Sequence, residues 1–155
     1  MEYAIENEYL IVTVTTWGAQ VKSVVRKFDD VEHMWQADKS VWGYHAPILF
    51  PHTGKVVDDL IETKGEVYQA KQHGFARLME HTLVRQTEDT IVMELRSSEE
   101  TLRIFPYAFR LVSTFTLDGD TLHHKLTVEN WDADKLYFGI GYHPAFTVPF
   151  DDEHT

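Results

Sequence analysis

The sequence predicts an all-β fold, and three observations lead to this prediction. Apolar and polar residues alternate with the period of a half-buried strand over most of the chain. Turn-forming residues separate these alternating segments, and only one short segment carries a helix signal. The alternating segments are residues 10–15, 19–25, 80–85, 90–96, 109–117, 121–130 and 137–142.

The turns between these segments predict hairpins. Residues 118–120 (DGD) separate the two longest alternating segments and predict a β-hairpin, since an Asp-Gly pair favours the tight turn of that motif. Asp89 and residues 132–134 separate other segments in the same way, and Gly18 ends the first alternating run. Because no repeat, low-complexity tract or linker interrupts the pattern, we interpret residues 1–155 as part of one domain.

The single helix signal is residues 97–100 (SSEE), which resemble a capping box. In this interpretation the Ser97 hydroxyl accepts hydrogen bonds from first-turn amides, and Glu100 reaches back to the start of the helix. The helix is expected to be one short turn that ends before Pro106. Residues 42–76 are instead interrupted by Gly and Pro, and loops of this kind commonly carry binding groups.

Composition narrows the range of partners. The net charge of −11 argues against nucleic acid and against an anionic membrane surface, because both require a basic protein surface. The chain has no cysteine, which excludes disulfides and thiolate metal sites. The first residues lack a basic, apolar secretion signal, and no apolar segment approaches membrane-spanning length. We therefore expect a cytoplasmic protein.

Two glycine-flanked histidines are the strongest chemical signal: His73 in residues 73–77 (HGFAR) and His143 in residues 141–146 (GYHPAF). Histidine is suited to proton transfer near neutral pH, with an ordinary pKa of about 6.5. Neighbouring glycines allow the backbone or a ligand to approach closely. The pair predicts a pocket in which a neutral polar substrate gains and loses a proton.

Six segments, in order along nearly the whole chain, resemble the aldose 1-epimerase (galactose mutarotase-like) superfamily, and most of all its LacX-like branch. Each segment alone is a weak signal, whereas six in order are a strong one. They are residues 17–21 (WGAQV), 42–51 (WGYHAPILFP), 73–77 (HGFAR), 105–111 (FPYAFRL), 126–130 (LTVEN) and 141–146 (GYHPAF).

The resemblance implies a large antiparallel β-sandwich, the galactose mutarotase-like supersandwich, that binds a monosaccharide in a cleft across one sheet. Members of this superfamily interconvert the α and β anomers of an aldohexose without a metal or an organic cofactor. Residues 1–155 correspond to roughly the N-terminal half of the family's usual chain, and the catalytic glutamate belongs to the other half. We therefore expect this fragment alone to be inactive, with uncovered sheet edges that favour association, for example as a homodimer.

The resemblance also implies roles for the two histidines. His143 matches the general acid, and Pro144 should hold it in extended backbone, because proline disfavours the α region for the preceding residue. The alternative is a buried histidine that a carbonyl satisfies. His73 matches the histidine that hydrogen-bonds the sugar near its ring oxygen, and its alternative is a turn residue that packs beside Phe75.

Other candidate substrate contacts lie in the same segments. Arg77 can donate a planar pair of hydrogen bonds to a hydroxyl or phosphate oxygen, or it can pair with a carboxylate. Lys55 stands where the family usually carries arginine, which loses the bidentate geometry. Trp42 and Phe75 are candidates for stacking on the sugar, with core packing as the alternative. His52 is expected to be a solvated loop residue.

The remaining histidines give no metal pattern. His124 is in phase with the apolar face of its strand and is expected in the core, whereas His123 should be exposed. No His-x-x-x-His pattern occurs, so no metal site is expected. Residues 151–153 (DDE) are interpreted as the start of a loop.

Two further functions remain open. A carbohydrate-binding protein without turnover can use the same cleft, although binding alone does not need an acid at His143. A hexose-6-phosphate mutarotase needs a basic cluster, for which the sequence offers only Arg77, Lys55 and Lys71.

Overall fold

A computed structural model describes residues 1–148 of the chain and confirms the all-β prediction. Residues 151–153 lie outside the described range. One short helix, α1 (Glu99–Leu102), and 3₁₀ turns at Val57–Asp59 and Ala76–Leu78 interrupt the strands. The strands are β1 (Glu2–Glu6), β2 (Leu10–Thr15), β3 (Gln20–Arg26), β4 (Val31–Glu32), β5 (Ile48–Leu49), β6 (Leu60–Thr63), β7 (Glu66–Gln69), β8 (Thr82–Gln86), β9 (Thr90–Arg96), β10 (Phe109–Asp118), β11 (Thr121–Asn130) and β12 (Gly141–Tyr142).

The strands form two four-stranded antiparallel sheets and two small two-stranded ones. The first large sheet has the order β1-β2-β3-β4, and the second has the order β11-β10-β9-β8. The small sheets pair β12 with β5 and β6 with β7. The predicted hairpin is confirmed: β10 pairs antiparallel with β11, and Asp118 lies opposite Thr121 across the turn at Gly119. Gly119 has a φ of 57°, which glycine adopts without a steric penalty.

One hydrophobic core joins the inward faces of both large sheets. In β2 and β10 buried and less buried residues alternate, as the sequence pattern predicts. A slip of one residue would turn every buried side chain toward solvent, and full burial of each large apolar side chain contributes about 1.5–3 kcal/mol, so the register of these strands is well specified. The buried residues of these two strands include Leu10, Val12, Val14, Phe109, Leu111, Phe115 and Leu117.

The structure corrects two boundaries. The helix begins one residue later than expected: the Ser98 hydroxyl accepts a hydrogen bond from the Thr101 amide (3.3 Å), and the Thr101 hydroxyl accepts one from the Ser98 amide (2.8 Å). Thr101 therefore takes the part assigned to Glu100. The expected strand over 137–142 shortens to β12, because the Gly139 amide donates to the Pro51 carbonyl of a loop (2.8 Å) rather than to a strand partner.

Candidate active site

A single segment, residues 47–54, positions both histidines of interest. On one side it pairs with β12: Leu49 lies opposite Gly141, and the His143 amide donates to the Pro47 carbonyl (3.1 Å). On the other side, Phe50 forms a parallel bridge with Gly74. The segments that carry His143 and His73 therefore flank the same stretch of backbone, although 70 positions of sequence separate them.

Two glycines make this close approach feasible. A Cβ atom at Gly74 would lie 2.2 Å from the Phe50 carbonyl oxygen, and Gly74 has a φ of +68°. A Cβ atom at Gly141 would lie 2.9 Å from Cγ2 of Thr53. Both distances are shorter than a Cβ atom tolerates in a packed protein. At position 74 the lack of space and the positive φ together require glycine.

His73 is half-buried and is held to Gly54 by two hydrogen bonds. Its amide donates to the Gly54 carbonyl (2.8 Å), and the Gly54 amide donates to its Nδ1 atom (3.0 Å). Its Nε2 atom lies 3.2 Å from the side-chain amide nitrogen of Gln72. Burial lowers the pKa of His73 below its ordinary value, and the nearby Arg77, His143 and His52 lower it further.

His143 follows β12 and is exposed to solvent. Its backbone is fixed by the hydrogen bond to Pro47, and its ring packs against Trp42 with 4.9 Å between the ring centroids. This exposure rules out the alternative of a buried histidine satisfied in the core. The ring is thus held on one side by an indole and is accessible to a ligand.

Arg77 stacks on an aromatic ring rather than pairing with an acid. Its guanidinium lies 5.0 Å from the centroid of Tyr44, and its Nη2 donates to the Gln72 carbonyl (3.0 Å). Among residues 1–148, no carboxylate oxygen forms an ion pair with it. Tyr44 in turn lies 5.7 Å from Trp42 between ring centroids. A row of rings therefore connects the two histidine segments.

Tyr44 is the residue of this row that the sequence interpretation did not single out. Its position in residues 42–51, between Trp42 and the proline that precedes β5, is the sequence feature that indicates a place in the site. The Trp35 indole N–H supports this segment by donating to the Trp42 carbonyl (2.8 Å). The aromatic row is thus attached to the loop that follows β4 by a directed hydrogen bond.

One candidate, Phe75, lies apart from these side chains. Phe75 belongs to the core, with 8% of its surface exposed and its ring 6.1 Å from Phe50 and 6.0 Å from Phe109. This placement matches the core-packing alternative, so Phe75 is not among the proposed sugar contacts. Lys55 is exposed and follows directly on Gly54.

His52 lies in a loop, as expected, but it is only partly solvated. It is partly buried, and its Nε2–H donates to the Lys71 carbonyl (2.9 Å). Its Nδ1 atom is buried and has no hydrogen-bond partner among the described residues. His52 therefore ties the loop after β5 to the segment that leads into His73.

The other histidines have structural positions. His124 lies on the inward side of β11, as predicted, and stacks on Phe115 with 4.2 Å between centroids; burial lowers its pKa to about 4. His123 is exposed, as predicted. His81 is 2% exposed, and its Nε2–H donates to the Ala76 carbonyl (3.1 Å). Burial lowers the pKa of His81 to about 4.

Within residues 1–148, no group of three or more histidine, aspartate or glutamate side chains is arranged to hold a metal ion. The same part of the chain contains no helix long and apolar enough to cross a membrane.

Comparison with known proteins identifies the family. A family model described as aldose 1-epimerase matches residues 1–155. The chain therefore belongs to the aldose 1-epimerase family, and its antiparallel sheets have the galactose mutarotase-like fold.

The similar proteins agree with this assignment. The plasmid-encoded protein LacX of Lactococcus lactis subsp. lactis is 35% identical over 156 residues, which cover 96% of this chain and 52% of LacX. A galactose mutarotase related enzyme from Lactobacillus acidophilus superimposes with a TM-score of 0.96 at 35% identity, covering 100% of this chain and 52% of that one. A galactose mutarotase-like protein from Lactobacillus casei gives 0.94 at 33% identity, covering 99% and 52%. The chain thus spans about half the length of the relatives it matches.

Proposed function

We propose that this chain supplies the general acid and sugar-binding residues of an aldose 1-epimerase site, which interconverts the α and β anomers of a free aldohexose. In this reaction a base removes the proton of the C1 hydroxyl while an acid protonates the ring oxygen, and the bond between C1 and the ring oxygen breaks. Rotation about the C1–C2 bond and reversal of the two proton transfers give the other anomer. No electrons leave the sugar, so the reaction is balanced without a redox partner.

His143 is the proposed acid. The observation that carries the proposal is the attachment of His143 and His73 to opposite sides of residues 47–54, through hydrogen bonds to Pro47 and Gly54. Side chains fixed to one backbone segment keep their mutual geometry, which is what proton transfer to a bound sugar requires. His143 is exposed and supported by Trp42, and a positioned acid of this kind contributes about 100- to 10,000-fold to a rate.

His73 is the proposed sugar-binding partner. Because its Nδ1 atom accepts from the Gly54 amide, Nε2 is the ring nitrogen proposed to contact the sugar near its ring oxygen. Arg77 and Trp42 are proposed to line the same site, with Lys55 at its edge. The residues of this chain would then bind and protonate the sugar, and the base would come from elsewhere.

We propose that the catalytic base lies in the part of the family's usual chain that residues 1–155 do not cover. We propose that residues 1–155 form part of a single mutarotase-like sandwich and that they do not turn over sugar alone. This proposal rests on the share of two relatives that the chain covers, 52% of LacX and 52% of the Lactobacillus acidophilus enzyme.

Polarimetry on the full-length protein tests the proposed reaction. Freshly dissolved α-glucose or α-galactose should approach its equilibrium rotation faster with the protein than in buffer. Calorimetry under the same conditions reports sugar binding without turnover. Binding with no acceleration would favour the carbohydrate-binding alternative, and acceleration only with hexose 6-phosphates would favour the phosphorylated substrate.

A further inference from the structure

We infer that a cavity lined by the β6–β7 hairpin and by residues 74–79 binds a neutral aromatic molecule of about the size of indole. The volume of this cavity is about 230 Å³. An apolar cavity of about 150 Å³ is large enough for benzene, so this cavity has room for a second fused ring. The inference does not depend on the proposed function.

The wall of the cavity is mainly apolar. Ile61 of β6 and Ala70, which follows β7, line it from the hairpin. Phe75 and Met79 line it from the next segment of the chain, and Ile104 lines it from the residues after α1. Such a wall offers apolar contact and few hydrogen-bond partners, so the part of a ligand that enters it is apolar.

Two of these side chains favour an aromatic ligand over a saturated one. Aromatic rings prefer edge-to-face or offset contacts, and Phe75 already makes an edge-to-face contact with Phe50, with 6.1 Å between the ring centroids. The thioether of Met79 also makes favourable contacts with aromatic rings, and its flexible chain adapts to the shape of a ligand. An aromatic ligand can gain both kinds of contact, whereas a saturated ring gains neither.

Hydrogen bonds fix the base of the hairpin beside the cavity. The Ala70 amide donates to the Asp59 carbonyl (2.7 Å), which joins the two ends of the hairpin. The Nε2–H of His52 donates to the Lys71 carbonyl (2.9 Å), which joins the hairpin to the loop after β5. His52 also lines the cavity. A cavity whose wall is already ordered binds a ligand without paying to order it.

The tip of the hairpin is attached separately. The Nζ atom of Lys64 lies 2.9 Å from a carboxylate oxygen of Asp132 and 4.6 Å from the ring centroid of Tyr107. The hydroxyl groups of Thr63 and Tyr107 share a hydrogen bond. Because the hairpin is held at both its base and its tip, these attachments oppose its collapse into the cavity, and the space is kept for a ligand.

The charges around the cavity favour a neutral ligand. Among the lining residues that the structure describes, Lys71 and Glu100 carry opposite charges, and both are exposed. Their exposure places them at the mouth of the cavity, where water and salt screen their effect. A cation is attracted by Glu100 and repelled by Lys71, and the reverse holds for an anion, so neither gains over a neutral molecule.

The cavity is separate from the proposed sugar site. Of the described residues proposed to bind or protonate the sugar, none lines the cavity. The two spaces are neighbours, because Gly74 lines the cavity and His73 directly before it belongs to the sugar site. We therefore expect the aromatic ligand and a sugar to bind without competing.

Fluorine-19 NMR of 5-fluoroindole tests this site in the full-length protein. We expect a saturable shift of the ligand resonance that excess galactose does not reverse. Phenol should compete with 5-fluoroindole about three- to tenfold more strongly than cyclohexanol, its saturated counterpart. Tryptamine and indole-3-acetate add a positive and a negative charge to the same ring system, and neither should compete more strongly than indole.

Substitutions in the hairpin locate the ligand. Ile61 is partly buried, and the larger ring in Ile61→Phe fills part of the cavity, so the affinity for 5-fluoroindole should fall about tenfold or more. Leu60→Phe makes the same kind of change at the adjacent, exposed position and should leave the affinity within about twofold. Met79→Trp fills the cavity from another part of its wall and serves as the second filling variant. Urea unfolding shows that each variant is folded.

Several results would overturn the inference. They are the absence of a saturable shift with the unmodified protein, reversal of the shift by galactose, and an unchanged affinity in both folded filling variants. Equal competition by phenol and cyclohexanol would overturn the aromatic preference. Stronger competition by tryptamine or indole-3-acetate than by indole would overturn the assignment of a neutral ligand.

Discussion

The buried imidazole of His81 should make the protein less stable in mild acid. In the folded protein His81 is 2% exposed, and burial holds its pKa at about 4. In the unfolded chain it titrates near 6.5. Below pH 6.5 the unfolded chain binds a proton that the folded protein does not, so the contribution of His81 is fully present above pH 6.5 and declines as the pH falls toward 4.

The size of this effect follows from the two pKa values. A pKa of about 4 in place of 6.5 corresponds to about 3 kcal/mol, because each pH unit between the two is worth about 1.36 kcal/mol. Domains of this kind are stable by about 5–15 kcal/mol, so the loss would be a large fraction of the total. The hydrogen bond to the Ala76 carbonyl favours the protonated ring, but burial outweighs it and keeps the pKa low.

The assay compares two proteins over a pH range. His81→Gln can keep a donor for the Ala76 carbonyl but cannot titrate, so it separates the charge from the hydrogen bond. Urea unfolding followed by tryptophan fluorescence gives the free energy of unfolding of each protein from pH 7 to pH 4. The advantage of the unmodified protein over His81→Gln should shrink by about 3 kcal/mol across that range.

The comparison has an internal control, because His124 titrates equally in both proteins and cancels in the difference. His123→Gln replaces an exposed histidine and controls for a histidine-to-glutamine change at the surface. If the difference between the unmodified protein and His81→Gln stays constant from pH 7 to pH 4, His81 is not held neutral by burial and the reasoning is wrong.

Two further substitutions test the packing around the site. Gly74→Ala should destabilise the protein by about 2–4 kcal/mol in chemical denaturation, since its Cβ would lie 2.2 Å from the Phe50 carbonyl oxygen. Gly119 also has a positive φ, but no atom lies within 4 Å of the Cβ position, so Gly119→Ala should destabilise the protein by only about 1–2 kcal/mol. Equal losses at the two glycines would contradict the close approach. Trp42→Ala should lower kcat/KM by about three- to tenfold, the worth of one aromatic contact to His143, and an unchanged value would show that the indole does not support that ring.

Strands with alternating burial could be predicted from the sequence, whereas β1 and the β6–β7 hairpin could not. The alternation in β2 and β10 matches their alternating burial, because both lie over the core. In β1 only Ile5 is buried, so the sequence carries little period-two signal there. The hairpin of β6 and β7 is mostly exposed and gave no apolar pattern.

The site could be predicted only in part, for a similar reason. Motifs identified His73 and His143, but pairing of both with residues 47–54 is a long-range property that local sequence does not encode. Phe75 is next to Gly74 in sequence, yet the left-handed backbone at His73 and Gly74 turns its ring into the core.

The most direct test of the central claim is the rate of anomer equilibration in His143→Ala, measured by polarimetry with the full-length protein. Removal of a positioned acid should slow kcat by about 100-fold or more, while calorimetric sugar affinity changes little. His123→Ala, which removes an exposed histidine on β11, should leave the rate unchanged. A His143→Ala protein that equilibrates the anomers as fast as the unmodified protein would contradict the assignment of His143 as the acid.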